Sequence, residues 1–306
     1  MVEIKNGILA TKFLEKYIKL FKYKKNDEYI IIKQDNKINN LLIDENYKYL
    51  ISINEDNYFK FFNINEIIKK NFEHHMDNKY VDLIPSYQFK HDSNILELIN
   101  IENYSLCGRD DKNLFIYEYN VIDQTSKLVN KISIEVKNIK LIKGKKEKYI
   151  CCQDNYNLYL LSIPDLMPVN KIKNQNSIIS YEQINKNEII ICDSINLKIL
   201  NINNFTFKIS KKNCLNNIFY LKKLKDNSIL IGGRCNIKRY CLKKLEELPE
   251  LINVEEENDD DDELPEFLNN LNRDDKDILY IDELANGKII IFLRHNINVY
   301  ELGNYN

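Results

Sequence analysis

A six-residue pattern of apolar and polar positions recurs along the whole chain. Its order is apolar, any residue, apolar, a bulky or aromatic residue, any residue, apolar. Alternation with a period of two is typical of a β-strand that has one buried face. The pattern therefore predicts seven such strands, at residues 18–23, 59–64, 114–119, 158–163, 197–202, 237–242 and 297–302.

Most copies of the pattern follow a second apolar run, from which a short polar turn separates them. The apolar runs that precede them are residues 50–53, 106–107, 150–152, 189–192, 229–233 and 289–293. Asp and Asn recur in the turns, and these residues tolerate tight turns because they can adopt positive φ and bond back to the backbone. We therefore predict that each repeat ends in a β-hairpin. Two further short strands fit upstream of each hairpin, for example residues 169–173 and 177–181, or 205–209 and 218–222.

The spacing of the copies predicts the fold class. Successive copies begin 41, 55, 44, 39, 40 and 60 residues apart, and a base period near 40 is typical of four-stranded propeller blades. We predict an all-β protein, a β-propeller of about seven blades. Six full four-stranded units would follow a thin N-terminal hairpin of residues 7–11 and 18–23. A six-bladed ring with an extra hairpin, and a sequence that lacks N-terminal residues, are the alternatives.

The end of each repeat resembles the WD40-repeat-like (WD40/YVTN-type) β-propeller superfamily. In that family the last strand of a repeat carries Trp-Asp, and a strand with small residues and an Asp-rich turn precede it. Here the Trp-Asp place is taken by Phe21-Lys22, Phe62-Asn63, Tyr117-Glu118, Tyr240-Cys241 and Tyr300-Glu301, and small residues precede at Ser52, Gly108, Cys192 and Gly232-Gly233. The sequence has no Trp and no Gly-His opening, so we expect it to lack the hydrogen-bond tetrad of the family. Another propeller family of similar blade length is the alternative.

Two long intervals between copies predict insertions into a single propeller domain of residues 1–306. The first insertion, at about 67–82, contains His74 and His75. Neighbouring residues on a strand point to opposite faces, and no third ligand lies at a suitable spacing, so we expect a solvated connection and not a zinc site. The second insertion, at about 252–275, is predicted to be an acidic disordered loop.

The acidic loop is the most distinctive local feature of the sequence. Like charges repel, and such a run is usually a solvated loop. Together with the apolar residues behind it, which have helical spacing, it could instead attract and anchor a basic partner protein. It lacks the ligand order of an EF-hand calcium loop. The candidate partner-docking residues are Glu255, Glu256, Glu257, Asp259, Asp260, Asp261, Asp262, Phe267, Leu268 and Leu271.

The charge and cysteine content limit the classes of partner and the cellular location that we expect. The 44 Lys and Arg residues nearly balance the 46 Asp and Glu residues, so the excess positive charge typical of a nucleic-acid binder is absent and nucleic acid is not an expected partner. The longest apolar runs span four or five residues, whereas a membrane-spanning helix needs about 20. Several of the seven cysteines lie inside apolar runs, which is typical of core thiols in a reducing compartment. We expect a cytoplasmic location, with the nucleus as the alternative.

These observations favour a non-catalytic scaffold or adaptor that binds other proteins as a subunit of a larger complex. The sequence has no nucleophile elbow, Walker loop or dinucleotide fingerprint, and we assign no catalytic residue, metal site or cofactor. The alternative is a propeller hydrolase with its site in the central channel. A third possibility is membrane-surface binding through the lysine-rich loop of residues 143–148.

Overall fold

The fold is built almost entirely from short antiparallel strands. The computed structural model describes residues 2–301 except 6–7, 14, 23–24, 45, 47, 73–79, 82, 103–104, 146, 213, 215–217, 234–236, 249–251, 254–277, 284–288 and 294–296. Within these residues the strands form seven sheets, which we number in chain order. One helix, α1 (Ile64–Phe72), lies between strands of the second sheet.

The first four sheets account for strands β1 to β17. Sheet 1 contains β1 (Val2–Lys5), β2 (Ile8–Phe13), β3 (Tyr17–Lys22), β4 (Lys25–Lys33) and the short β8 (Tyr80–Val81). Sheet 2 contains β5 (Ile38–Ile43), β6 (Tyr49–Asn54), β7 (Tyr58–Asn63) and β9 (Tyr87–Lys90). Sheet 3 contains β10 (Glu97–Asn100), β11 (Ser105–Arg109), β12 (Asn113–Asn120) and β13 (Thr125–Ser133). Sheet 4 contains β14 (Lys137–Lys143), β15 (Lys148–Gln153), β16 (Asn157–Ser162) and β17 (Pro168–Lys173).

The last three sheets account for the other strands. Sheet 5 contains β18 (Ile178–Asn185), β19 (Glu188–Asp193), β20 (Leu197–Asn201) and β21 (Thr206–Lys211). Sheet 6 contains β22 (Ile218–Lys223), β23 (Ser228–Gly233), β24 (Ile237–Cys241) and β25 (Glu247–Leu248). Sheet 7 contains β26 (Ile252–Asn253), β27 (Ile278–Glu283), β28 (Ile289–Leu293) and β29 (Ile297–Glu301), with β26 next to β29. Seven sheets of this kind confirm the predicted all-β propeller of about seven blades.

The chain divides into two compact units. Unit 1 comprises Met1–Ile142, Lys148–Asp154 and Leu158–Lys171, and it holds sheets 1 to 3 and most of sheet 4. Unit 2 comprises Lys143–Glu147, Asn155–Asn157 and Ile172–Asn306, and it holds sheets 5 to 7.

Each copy of the six-residue pattern lies on the third strand of its repeat. The copies coincide with β3, β7, β12, β16, β20, β24 and β29. The apolar runs before them form the second strands, and the two strands pair in register, as in Cys107 opposite Ile116 and Ile190 opposite Ile199. The predicted hairpins are therefore confirmed.

In sheets 2 to 6, the strand that precedes the first strand in the sequence belongs to the preceding sheet. Residues 169–173 lie in β17, the outermost strand of sheet 4, whereas residues 178–181 begin sheet 5. Residues 206–209 likewise lie in β21 of sheet 5 and residues 218–222 in sheet 6. The reason is local, because a strand that follows a short turn pairs most readily with the strand it has just left.

Sheet 1 is larger than the thin hairpin that the sequence predicts. The hairpin itself is present, with Ala10 opposite Leu20. Strand β1 pairs with β2, and the long strand β4 pairs with β3. Strand β8, from the first insertion, adds to β4 in parallel.

Neighbouring sheets pack through continuous apolar clusters. In unit 1, separate clusters join sheet 1 to sheet 2, sheet 2 to sheet 3, and sheet 3 to sheet 4. In unit 2, a further cluster joins sheet 5 to sheet 6. In these four pairs, apolar side chains of one sheet are thus buried against the next, and this burial is the main source of stability for such sheets.

Helix α1 forms the start of the first insertion. Its first turn is capped by Asn63, whose Oδ1 accepts hydrogen bonds from the backbone N–H groups of Asn65 and Glu66. Ile64 and Ile67 are buried and anchor the helix on the core that joins sheets 1 and 2. Among the described residues, no helix is long and apolar enough to cross a membrane.

The cysteines behave as the sequence predicts. Cys107, Cys151, Cys152, Cys192 and Cys214 are buried free thiols. Burial raises the pKa of Cys152 to about 12, so this thiol stays protonated and unreactive at neutral pH.

Candidate interaction surface

The turn between the second and third strands of sheet 3 is built around a buried aspartate. Asp110 accepts hydrogen bonds from the backbone N–H groups of Lys112 (2.8 Å) and Asn113 (2.6 Å) and from the Asn113 side-chain amide. The Ser93 hydroxyl, from the connection between sheets 2 and 3, donates to the other side of the carboxylate at 2.6 Å. Burial raises the pKa of Asp110, but these hydrogen bonds lower it more, so that the pKa is about 2.

His91 extends this network into the apolar core. Its Nε2 lies 3.1 Å from the Ser93 hydroxyl and its Nδ1 lies 3.0 Å from the Tyr117 hydroxyl, while the Phe115 ring packs against the imidazole. The single Ser93 hydroxyl proton is donated to Asp110, so His91 Nε2–H must be the donor to Ser93, and Nδ1 accepts from Tyr117. The neutral Nε2–H tautomer of His91 therefore satisfies the whole network, with Nδ1 as the acceptor from Tyr117.

The chain has no Trp, so the Trp-containing tetrad of the family is not possible here. In sheet 3, Tyr117, His91, Ser93 and Asp110 instead form a hydrogen-bonded chain of four side chains. The sequence obscures it because the histidine follows Lys90 and not glycine. His91 is 26 residues from Tyr117, and Ser93 is 17 residues from Asp110, so local motif reading does not reveal the network.

We expect the stability of the fold to fall as the pH drops below about 6.5, the pKa of an unfolded histidine. Burial lowers the pKa of folded His91, and the opposing charge of Asp110 only partly compensates. Between the folded and unfolded pKa values the unfolded chain binds a proton that the folded chain does not, so stability rises with pH there.

The measurement is urea unfolding of the wild type and of His91→Gln between pH 7.5 and 5.5. Gln keeps a donor and an acceptor but does not titrate, so the variant should lose less stability than the wild type over this range. The largest possible difference in slope is about 1.4 kcal/mol per pH unit. Parallel pH profiles would show that His91 does not titrate differently on folding.

A buried polar side chain at the equivalent turn also contacts the preceding connection in sheets 5 and 2. Asp193 accepts from the backbone and side-chain amides of Asn196 and, at 3.1 Å, from Asn176 in the connection before sheet 5. In sheet 2, the buried Asn54 contacts Asn36 O in the connection before that sheet. In sheets 2, 3 and 5, a buried polar side chain thus links the connection before the sheet to the turn between its second and third strands. This link holds both loops in place.

A groove of about 410 Å³ lies in unit 1 between the loops of sheets 2 and 3. Its aromatic side is formed by Tyr49 and Tyr119, which both contact the buried Phe61 ring, at centroid distances of 6.5 and 4.8 Å. Val121 and Ile122, in the turn between β12 and β13, form an apolar wall. The Ile122 side chain is 87% exposed.

The rim of the groove is charged and polar. Lys48 lies on the sheet 2 side and Lys127 on the sheet 3 side, where it is opposite Glu118 in the register of β12 and β13. Asn120, Thr125 and Ser126 also line the groove and supply hydroxyl and amide groups. A concave site with an apolar floor and a polar rim is suited to binding a ligand.

The docking residues predicted from the sequence lie outside the described residues. This applies to Glu255, Glu256, Glu257, Asp259, Asp260, Asp261, Asp262, Phe267, Leu268 and Leu271. The two histidines of the first insertion, His74 and His75, also lie outside the described residues. The sequence does not predict the groove described above, whose one sequence signal is an apolar Val-Ile pair inside an otherwise polar turn, Asn120 to Gln124.

The lysine-rich loop of residues 143–148 is engaged in contacts with neighbouring strands. Lys143 N–H donates to Gln183 Oε1, and the Gln183 amide returns a hydrogen bond to Lys143 O at 2.8 Å. Lys148 forms an ion pair with Glu102. In the described part of the chain, no group of three or more His, Cys, Asp or Glu side chains is placed to hold a metal ion.

Comparison with solved structures identifies the fold. The chain is similar to the WD40 β-propeller domain of Doa1, with a TM-score of 0.67 and 12% identity over 98% of this chain and 90% of that one. The fold is that of a WD40 β-propeller. The C-terminal WD40 domain of Sif2 gives a TM-score of 0.63 with 12% identity, covering 97% of this chain and 79% of that one. A chain of the mitotic checkpoint complex gives 0.67 with 9% identity, covering 97% and 84%. No family model and no curated protein sequence matches the chain.

Within the WD40 fold, three carboxylates with lowered pKa values stabilise turns between strands. Hydrogen bonds to turn amides and hydroxyls lower the pKa of Asp110 and Asp193 against the effect of burial. The pKa of Asp226 is lowered by Ser228 and by the buried Arg239, which it contacts in sheet 6. Their partners are donors that favour the ionised form, so none of these carboxylates is tuned as a general acid.

Proposed function

We propose that this protein is a non-catalytic scaffold that binds other proteins and serves as a subunit of a larger complex. The WD40 fold supports this proposal, because it presents many loops on a rigid set of stacked sheets. One of the similar structures belongs to an assembly, the mitotic checkpoint complex. That likeness extends to the fold alone, and the partners of this protein follow from its own surface.

The observation that carries the proposal is the way in which the loops are held. In sheets 2, 3 and 5 a buried polar side chain connects the incoming loop to the hairpin turn. Such loops lose little conformational entropy when a partner binds, so a few exposed side chains can supply the binding energy. Loop side chains held this way suit recognition of a protein surface.

We further propose that the acidic segment, residues 255–263, docks a basic partner. Eight of its nine residues are acidic, and clustered charge accelerates the encounter with a surface of opposite charge. Phe267, Leu268 and Leu271 would then add apolar contacts. The cytoplasm, with the nucleus as the alternative, is the proposed location, which the buried free thiols of the described residues support.

Crosslinking followed by affinity purification from the source organism tests both statements. We expect the full chain to retain specific protein partners at constant stoichiometry. A variant with the acids of 255–263 changed to Asn and Gln should lose those partners that bind through charge, and raised salt should have the same effect.

The matched control is a variant in which the order of residues 255–263 is scrambled. It keeps the charge, so it should retain the same partners as the wild type. Equal recovery with the neutralised variant would show that the segment is only a solvated loop. A wild-type chain that retains no protein at all would contradict the scaffold function itself.

A further inference from the structure

The loop groove, defined as the cavity lined by residues 48–49, 118–122 and 125–127, has features that neither the fold nor the turn networks require. It contains Ile122, which is 87% exposed in a turn of otherwise polar residues. A single exposed apolar side chain is ordinary on a protein surface, but Ile122 lies beside a concave cavity with aromatic and polar lining, which is the usual form of a binding site. The groove therefore points to a binding role of its own.

The exposure of Ile122 is enforced by the local hydrogen bonds. Asn120 Oδ1 accepts from the backbone N–H groups of Ile122 (3.0 Å) and Asp123 (3.2 Å), and Asn120 Nδ2 donates to Asp123. These contacts hold the turn in one conformation. Val121, its neighbour, is 8% exposed and fastens the turn to the core that joins sheets 2 and 3. Ile122 is therefore held outward beside the cavity.

The charges around the cavity indicate what would enter it. Lys127 already faces Glu118 across the β12–β13 ladder, whereas Lys48 lies on the opposite side of the cavity. The two lysines and one glutamate leave a net positive rim. An anionic group on the ligand would be attracted to the Lys48 side, while the apolar wall and aromatic floor would take a bulky apolar group.

The outer wall of the groove favours an extended peptide. Thr125, Ser126 and Lys127 begin β13, which is the edge strand of sheet 3. An edge strand has an outer row of backbone N–H and C=O groups that can pair with an added strand. A peptide lying along this edge would place alternate side chains over the cavity.

We propose that the loop groove binds an extended peptide segment of a partner protein, with a bulky apolar residue seated against Tyr119 and Ile122 and an adjacent carboxylate at Lys48. This inference rests on the proposed scaffold function and names one of its docking sites. The partner is defined by that chemistry, an acidic residue next to Leu, Ile, Phe or Tyr.

Selection of a phage-displayed library of random linear peptides on the full-length protein tests the proposal. We expect enrichment of peptides with a bulky apolar residue next to Asp or Glu. The synthetic consensus peptide, measured by fluorescence anisotropy, should bind roughly tenfold more weakly to Ile122→Asp and to Lys48→Glu. Changing its carboxylate to an amide should weaken binding to the wild type but not to Lys48→Glu.

Two exposed residues that do not line the groove provide matched controls. Ile84→Asp introduces the same change at a side chain that is 91% exposed, and Lys145→Glu reverses another exposed lysine. Both should bind the consensus peptide as the wild type does. Circular dichroism and thermal unfolding should be the same for all four variants, because each changes an exposed side chain.

Three outcomes would overturn the groove assignment. They are no enrichment of any peptide, enrichment of peptides that bind Ile122→Asp as tightly as the wild type, and wild-type self-association that Ile122→Asp abolishes. The last would show that a second copy of the chain covers the groove. If the wild type still retains partners in the crosslinking experiment, such a failure removes this site and leaves the scaffold function standing.

Discussion

Replacing Asp110 with alanine is expected to lower the free energy of unfolding by about 3 kcal/mol. Asp110 is 4% exposed, and its carboxylate accepts hydrogen bonds from two backbone N–H groups, the Asn113 amide and the Ser93 hydroxyl. Alanine would leave these partly buried donors without their acceptor, and each such group costs about 1 to 3 kcal/mol when it stays buried. Urea unfolding at pH 7 measures the effect.

The neighbouring residue provides the control for this substitution. Asp111 is exposed, so Asp111→Ala should change the free energy of unfolding by no more than about 0.5 kcal/mol. Acid should remove the contribution of Asp110 from the wild type. Because the folded pKa of Asp110 is about 2, its stabilisation is present above roughly pH 4 and is lost as the pH falls towards 2. Equal effects of the two substitutions would contradict the assigned role of Asp110.

The repeat architecture could be predicted because it rests on local alternation. A hexad such as 114–119 marks β12 without any knowledge of its partners, since every second residue must be apolar when one sheet face is buried. Leu114 and Phe115, both fully buried, show that even adjacent residues face a core when sheets pack on both sides. The spacing of the hexads then gave the number of sheets and the fold class.

The sheet to which an outer strand belongs could not be read from the same pattern. Strand β21 is mostly exposed, so the alternation of Phe207 and Ile209 indicates a strand but does not show to which sheet the strand belongs. Similarly, β1 and β4 belong to sheet 1 because they pair with the two strands of the first hairpin, and no repeat in the sequence indicates this. Edge strands carry the weakest sequence signal because less of their surface is buried.

The loop groove and the His91 network depend on contacts between distant residues. Tyr49 and Tyr119 approach the same Phe61 ring although about 70 residues separate them in the sequence. His91 and Tyr117 meet across the space between two consecutive sheets. No local spacing indicates such contacts, since they arise only after the sheets have packed.

Gly108→Ala is expected to destabilise the fold by about 1 to 3 kcal/mol. Gly108 lies in β11, opposite Phe115 on one side and Leu98 on the other. A Cβ at this position would lie 2.5 Å from two atoms of the Phe115 ring and 3.0 Å from Leu98 Cδ1. The ring cannot move freely, because it also packs against His91 at a centroid distance of 4.2 Å. The small residue is thus needed to seat the aromatic ring beside the histidine network.

A double-mutant cycle with Phe115→Leu separates this clash from a loss of backbone freedom. Leucine lacks the ring atoms that a Cβ on residue 108 would meet, so the double variant should be more stable than the sum of the two single effects predicts, by about 1 kcal/mol or more. If Gly108→Ala acted instead through the unfolded chain, its effect would be the same in both backgrounds and of stabilising sign. Additive effects in urea unfolding would therefore contradict the clash. The repeat places a small residue on its second strand and an aromatic residue on its third. A coupling of the expected sign would also show that one packing constraint accounts for both features.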